Sequence, residues 1–116
     1  MTKPLGPYSP VVRAGDFLIV SGQVPLVDGR KIEGGVAAET GQVLRNVAAQ
    51  LATMGASLDD VVKTTCFLTD MDNFAVFNEA YIEAFGDHRP ARSTVEVSAL
   101  PGDFAVEIEA WAYKPE

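Results

Sequence analysis

Residues 92–97 include polar and charged side chains whose types and spacing could bind a ligand or catalyse a reaction. Their composition predicts a strand. Because side chains alternate across a strand, Arg92 and Thr94 share one face while Val95 and Val97 share the other. Arginine suits a carboxylate because its planar guanidinium donates two parallel charge-assisted hydrogen bonds. Arg92 is therefore a candidate anion-binding residue.

A second strand pattern, 106–111, supplies acidic groups. Its even-numbered positions are apolar, and Glu107 and Glu109 alternate with them on the other face. If the apolar faces of both strands pack on helices, the opposite face of the sheet holds Arg92, Thr94, Glu107 and Glu109. Burying charged side chains on that face is unfavourable for folding unless they form ion pairs or take part in binding or catalysis. Two interpretations stay open: an arginine–glutamate pair bridging strands or subunits, or a site where arginine binds an anion and a glutamate transfers protons.

Other catalytic constellations are absent from the sequence or weaker. It contains no G-x-S-x-G elbow, P-loop or G-x-G-x-x-G motif. Gly34-Gly35 precedes a predicted helix and could bind an anion, but a turn is the better interpretation. His88 lies in a polar segment between Asp87 and Arg89, which favours a solvated loop histidine over a member of a Ser-His-Asp triad.

Composition narrows the classes of protein. The formal charge of -7, without a Lys/Arg cluster, disfavours general nucleic-acid binding. The single Cys66 excludes an internal disulfide and is expected to be a small buried hydrophobe, and one cysteine with one histidine argues against a structural zinc site. No apolar run reaches the ~20 residues of a membrane span. Without a signal-peptide core, we expect a cytoplasmic protein with one domain over residues 1–116.

Hydrophobic periodicity predicts the elements that must position these groups. Glycine turns and period-two patterns predict two hairpins, at 11–21 and 24–32, with Asp28-Gly29 as the second turn. Apolar residues at helical spacing predict a helix over 36–54 and another over 74–85. The remaining strands are predicted at 61–68, 93–97 and 105–112. The order βββ-α-β-α-ββ predicts an α+β domain, with both helices on one face of the sheet.

Capping residues set the expected ends of the helices. Gly55 and Gly86 are placed as C-terminal stops, and Asp72 is a plausible N-cap for the second helix. Ser57 is expected to cap a single turn just before the central strand.

The second face of the sheet also needs cover. The segments 17–20 and 61–68 are apolar on both parities, but two helices can cover only one face. A monomer would leave a large apolar patch exposed, so we expect an oligomer built on that face.

Several motifs together resemble the RidA family (reactive intermediate deaminase, YjgF-type, also called endoribonuclease L-PSP). They follow one another from about Gly6 to Ala112, nearly the whole chain. The segment around Arg92, followed by Glu107-Ile108-Glu109, is close to the signature of the family. The other matching segments read GPYS from Gly6, SGQVP from Ser21, VKTTCFL from Val62, PARSTV from Pro90, and LP from Leu100.

The resemblance implies a chorismate-mutase-like fold with a mixed sheet, and a homotrimer with clefts at the subunit interfaces. It implies hydrolysis of 2-aminoacrylate-type enamines and their imines by a 2-iminobutanoate/2-iminopropanoate-type deaminase, without a metal or organic cofactor. Arg92 would anchor the substrate carboxylate, and Glu107 would position the water. Thr94 departs from the family pattern, where the position is often Cys. The site carried over by motif is Tyr8, Ser21, Asn78, Arg92, Thr94 and Glu107.

Two other functions stay open beside the deaminase. A trimer of this kind could bind keto acids in a regulatory role without turnover. An endoribonuclease, the activity in the family's alternative name, is less favoured because the chain is acidic, has one histidine and lacks a basic stripe.

Overall fold

A five-stranded mixed sheet carries two helices in the computed structural model, which describes residues 6–116. The sheet order is β1-β2-β7-β5-β6, in which β5 and β6 are parallel and the other neighbours antiparallel. The elements are β1 Val11–Ala14, β2 Phe17–Gln23, β3 Leu26–Val27, β4 Arg30–Lys31, α1 Gly35–Ala52, β5 Val61–Leu68, α2 Phe74–Phe85, β6 Ala91–Glu96 and β7 Val106–Tyr113.

Both predicted hairpins form. β1 and β2 pair around the turn that contains Gly15. The second hairpin is shorter than predicted, because β3 and β4 have two residues each and form a separate ribbon. Its turn residues Asp28 and Gly29 have φ of 51° and 77°, as the tight two-residue turn requires.

The first helix ends slightly earlier than its apolar period predicts. α1 stops at Ala52, and Met54 lies in the turn beyond it. Gly55 is in the left-handed region with φ of 76°, and the next amide, of Ala56, donates to the Leu51 carbonyl at 3.0 Å. Gly55 therefore ends the helix as predicted, because a residue without Cβ adopts this conformation without strain.

The predicted N-cap of α2 is wrong, because the N-cap position is Asn73, whose side chain makes no capping hydrogen bond. A single 3-10 turn, Met71–Asn73, precedes α2, and Asp72 lies inside it. The carboxylate that caps this turn belongs to Asp70, which accepts from the Asp72 amide at 2.9 Å. The other local predictions are confirmed: Ser57 caps the turn before β5 in a reciprocal pair with Asp60, and Gly86 ends α2 with φ of 64°.

Both helices cover the same face of the sheet, as predicted. Helix α1 packs on β2 and β7 and also against α2. The core between these layers contains the alternate, inward-facing residues of the three central strands: Leu18, Val20, Cys66, Leu68, Val106, Ile108 and Ala110. Within residues 6–116, no helix is long and apolar enough to cross a membrane.

The other face of the sheet is open and partly aromatic. Phe17, Trp111 and Tyr113 are 36%, 42% and 47% exposed. The Phe17 ring meets the other two edge-on, with centroids 5.9 and 5.4 Å away. This is the apolar second face that the sequence predicts.

The predicted face of Arg92 and Thr94 is wrong. β6 runs parallel to β5, and its register pairs Arg92 with Thr64 and Thr94 with Cys66. Paired residues on neighbouring strands point to the same side, and both β5 partners are buried. Arg92 and Thr94 therefore point towards the helices, and Val95, 43% exposed, points to the open face. Alternation defines two faces, but the packing of β6 on its neighbours decides which face meets the helices.

Candidate functional site

Arg92 lies beneath helix α2, half-buried. Its Nη1 donates to Asn78 Oδ1 at 2.9 Å. The guanidinium carbon is 4.9 Å from the ring centroid of Tyr81 and 5.6 Å from those of Phe74 and Phe77. An amide oxygen and three aromatic rings thus surround the cation, and each ring face attracts it electrostatically.

The helical period explains this cage. Phe74, Phe77, Asn78 and Tyr81 are three or four residues apart, so α2 presents them on one side. The sequence identifies the aromatic stripe as core, and Phe77 and Tyr81 are indeed buried. The role of the rings around Arg92 was missed. The spacing of the stripe alone carries no signal for this role; only the structure shows that Phe74, at its start, is 38% exposed and so is not a core residue.

The charge of Arg92 is not balanced by a carboxylate within the described part of the chain. The ion pairs between residues 6 and 116 join Arg13 to Glu116 and Lys114 to Asp60. A half-buried guanidinium without a counter-ion keeps donors that can bind an anion. Arg92 can therefore accept a carboxylate at the rim of the cage.

A small polar cluster lies below the cage. The hydroxyl groups of Tyr81 and Thr64 share a hydrogen bond of 2.7 Å, and the Cys66 thiol donates to Thr64 at 3.8 Å. Burial raises the pKa of the Cys66 thiol to about 11, although the hydrogen bond to Thr64 and the charge of Arg92 lower it. Cys66 is thus a buried free thiol, as predicted. The buried Thr94 hydroxyl has no hydrogen-bond partner among residues 6–116.

Glu107 lies on the other side of the sheet, where its register partner on β5 is Phe67. Burial, followed by repulsion from Glu109, raises the pKa of its carboxyl group. A cavity of about 310 Å³ opens beside it. The cavity is lined by Gly6, Pro7, Tyr8, Gly22, Val24, Pro101 and Glu107.

Ser21 lies next to this cavity and binds the N-terminal segment that forms one of its walls. The Ser21 hydroxyl donates to the Ser9 carbonyl at 2.6 Å, and the Ser21 amide donates to the Pro10 carbonyl at 3.0 Å. These bonds fasten the segment that carries Tyr8, whose side chain is 45% exposed.

The six predicted site residues therefore form two groups. Arg92, Asn78 and Thr94 lie on the helix side of the sheet, whereas Tyr8, Ser21 and Glu107 lie around the cavity on the other side. Between residues 6 and 116, no group of three His, Cys, Asp or Glu side chains could hold a metal ion. A protomer thus presents an anion-binding half and an acidic half, facing different directions.

Two other features contain none of these residues. Alanine forms half of the lining of the groove between α1 and α2, which measures about 400 Å³ and has Arg45 and Glu83 as its charged residues. His88 is half-buried rather than solvated as predicted, since its Nε2 lies 2.7 Å from the Val61 carbonyl and its ring contacts Phe85. This contact gives the histidine a structural role at the start of β5.

Comparisons with known proteins agree with this fold. The family model for endoribonuclease L-PSP matches residues 1–114. A RutC family protein of Pyrococcus horikoshii is 50% identical over 114 residues, which cover 97% of this chain and 90% of the relative. The crystal structure of RidA from the Antarctic bacterium Psychrobacter has a TM-score of 0.91 at 38% identity, covering 96% of this chain and 91% of that one.

Another solved structure contains a small molecule. It is E. coli TdcF with bound serine, which has a TM-score of 0.88 at 36% identity and covers 96% of this chain and 91% of that one. The family model and these relatives span nearly all of the chain, and the two solved structures show the same fold. The chain therefore belongs to the endoribonuclease L-PSP family, which is the RidA or YjgF family that its sequence motifs resemble.

Proposed function

We propose that this protein hydrolyses 2-imino and 2-enamino acids of the 2-iminobutanoate and 2-iminopropanoate type to 2-keto acids and ammonia. The observation that carries the proposal is the half-buried Arg92, held by Asn78 and three rings without a carboxylate partner among residues 6–116. Such an arginine suits the carboxylate of a small amino-acid-like substrate. The serine bound to the TdcF relative is a ligand of that size and charge.

The active site in this proposal forms between copies of the chain. Arg92 and Glu107 point away from each other in one protomer, so one copy supplies Arg92 with Asn78 and Thr94, and its neighbour supplies the other half. The open aromatic face around Trp111 gives the copies a surface on which to associate. A closed homotrimer then contains three equivalent clefts. The half from the neighbour consists of Tyr8, Ser21 and Glu107.

The reaction needs water, an oriented carbon and one group that exchanges protons. Arg92 fixes the carboxylate and thereby orients the C=N carbon for attack. The substrate reacts as the iminium ion, whose nitrogen carries a proton taken from solvent. Glu107 takes a proton from water as the water oxygen bonds to the iminium carbon, which gives a neutral carbinolamine. Glu107 then returns that proton to the nitrogen; the C–N bond breaks as the hydroxyl oxygen forms C=O and releases its proton to solvent, so ammonia and a 2-keto acid leave.

The environment of Glu107 suits this role. Burial and Glu109 raise the pKa of its carboxyl group, which brings the group closer to neutral pH and makes it a better proton acceptor. General acid–base catalysis of this kind contributes about 10²–10⁴-fold. Tyr8 and Ser21 shape the cleft, and the proposed reaction uses no metal or organic cofactor.

The proposal is tested by generating 2-aminoacrylate with a serine dehydratase and following keto-acid formation. Arg92→Ala should lose the acceleration, and Arg92→Lys should recover only part of it because an ammonium lacks the planar fork. Arg45→Ala, on the exposed side of α1, is the matched control and should match the wild type. Equal rates for wild type and Arg92→Ala would refute the carboxylate anchor.

A second candidate function is binding without turnover. Arg92, which has no carboxylate partner among residues 6–116, favours this function equally, because a carboxylate anchor binds a 2-keto acid as well as an imine. Calorimetry with 2-ketobutyrate detects binding under either function, and only the turnover assay separates them. An endoribonuclease is disfavoured by the charge of -7. RNA cleavage that persists in purified Arg92→Ala would revive it.

A further inference from the structure

Strand β2 contains a bulge directly beside the cavity of Glu107. In its pairing with β7, Val20 lies opposite Ala110 and Gln23 lies opposite Ile108. Three steps along β2 therefore correspond to two along β7, so the segment 21–22 contains one extra residue. A bulge bends its strand and changes the direction of nearby side chains, and bulges are common next to active sites.

Gly22 is in this bulge and lies against the Glu107 side chain. A Cβ built on Gly22 would be 2.6 Å from Glu107 Oε2, 2.8 Å from the carboxyl carbon and 3.2 Å from Cγ. Real Cβ atoms do not approach other heavy atoms below about 3.0 Å. The Glu107 carboxylate thus occupies the space that any other residue at position 22 would fill.

The backbone does not require glycine at this position. Gly22 is not among the glycines of positive φ, whereas Gly15, Gly29 and Gly55 are. An alanine can therefore adopt the conformation of Gly22 without strain. Gly22 is therefore needed for the space that its missing side chain leaves, and the Glu107 carboxylate occupies that space.

We propose that Gly22 is a positioning residue for the proton-transfer group. Because Gly22 has no side chain, the Glu107 carboxylate can lie against β2, at the wall of the cavity that Tyr8 and Glu107 line. The inference rests on the proposed function in one respect, since it takes Glu107 as the group that handles protons. The position of the carboxylate itself is independent of that function.

Adding one methyl group to Gly22 should move the carboxylate and leave the fold intact. The atoms that the methyl meets are the end of a flexible side chain, which can rotate away, and no backbone atom is among them. A displaced carboxylate would no longer be shielded from water by β2. Because burial is what chiefly raises the pKa of Glu107, that pKa should then fall towards its ordinary value.

The first experiment follows the Glu107 carboxyl group by carbon-13 NMR titration in wild type, Gly22→Ala and Gly41→Ala, with Glu107→Gln to assign the resonance. Gly41→Ala adds the same methyl on α1, where the nearest atom would be Arg45 Nη1 at an ordinary 3.4 Å. We expect a lower pKa in Gly22→Ala alone, with unchanged circular dichroism. An unchanged titration curve in Gly22→Ala would overturn the proposal.

The second experiment measures turnover of 2-aminoacrylate. Gly22→Ala should lower kcat by about 10- to 100-fold, as a misplacement of about 1 Å does, with KM within about twofold of the wild type. In the Glu107→Gln variant, Gly22→Ala should lower kcat no further, because Gly22 acts through the Glu107 carboxylate, which that variant lacks. Multiplicative losses in the double variant would overturn the positioning role. If the wild type has no deaminase activity, the proposed function fails, and the titration alone decides the position of the carboxylate.

Discussion

Arg92 and Glu107 lie on opposite faces of one sheet. Through β5 their register partners are Thr64 and Phe67, three residues apart, so an odd number of steps separates them and their side chains diverge. Arg92 reaches Asn78 under α2, and Glu107 lines the cavity on the other side. One protomer cannot bring both groups onto a small substrate from these positions.

This relationship predicts that two impaired variants complement each other. Arg92→Ala and Glu107→Gln should each retain only a small residual activity alone. After mixed refolding, some clefts receive Arg92 from one variant and Glu107 from the other. With equal mixing, about one quarter of the clefts are intact, because each cleft draws two independent halves. The measurement is deaminase activity of the mixture against each variant alone. A mixture no more active than its components would show that both groups act from one chain.

The open aromatic face predicts how assembly can be broken. Trp111→Glu places a charge between Phe17 and the neighbouring strand, on the face assigned to the subunit contacts. We expect a folded monomer by sedimentation velocity and the loss of activity together with the trimer. Val76→Glu, exposed on α2, is the control and should stay trimeric. A wild type that sediments as a monomer would contradict the shared cleft.

The aromatic cage predicts a split between substrate binding and the chemical step. Phe74→Leu removes one exposed ring face, worth about 0.5–1 kcal/mol, and should raise KM about two- to fivefold with little change in kcat. Tyr81→Phe keeps its ring and loses the bond to Thr64, so it should lower the free energy of unfolding by about 1 kcal/mol and leave KM unchanged. Steady-state kinetics and urea denaturation measure these effects. An unchanged KM in Phe74→Leu would show that the Phe74 ring does not contribute to substrate binding.

The buried thiol predicts a stability change in alkali. The pKa of Cys66 is about 11 in the folded state and 9.0 in the reference state, so the folded protein holds its proton more tightly. Stability should therefore be complete below about pH 9 and decline as the pH rises from 9 through 11, by about 3 kcal/mol in total, because each pKa unit is worth about 1.36 kcal/mol.

The control for this prediction is Cys66→Ala, whose unfolding free energy should lack the decline attributable to the thiol. Urea denaturation between pH 7 and 10.5 provides the comparison. Alkylation of the native protein at pH 8 should also be at least about 100-fold slower than that of the unfolded chain, since two pKa units separate the thiols. Parallel pH curves for the two proteins would contradict the raised pKa.

Much of the fold follows from local chemistry in the sequence. Asp28-Gly29, Gly55 and Gly86 are confirmed at positive φ, because turns and helix ends select residues that tolerate that conformation. The helical spacing of the apolar residues also predicts both helices and their common side of the sheet. Asp72 was misplaced as a cap because two neighbouring aspartates compete for one turn, and only the observed 3-10 geometry selects Asp70.

The sequence by itself determined the residue types of the candidate site: one arginine suited to a carboxylate, acidic residues on the last strand, and the motifs that identify the family. Tertiary structure decided where they point. The parallel register of β6 on β5 turns Arg92 towards α2, and the bulge at Gly22 makes room for the Glu107 carboxylate. Alternation along a strand is a local property that a sequence displays. Which face is covered depends on how distant strands and helices pack, which no local pattern records.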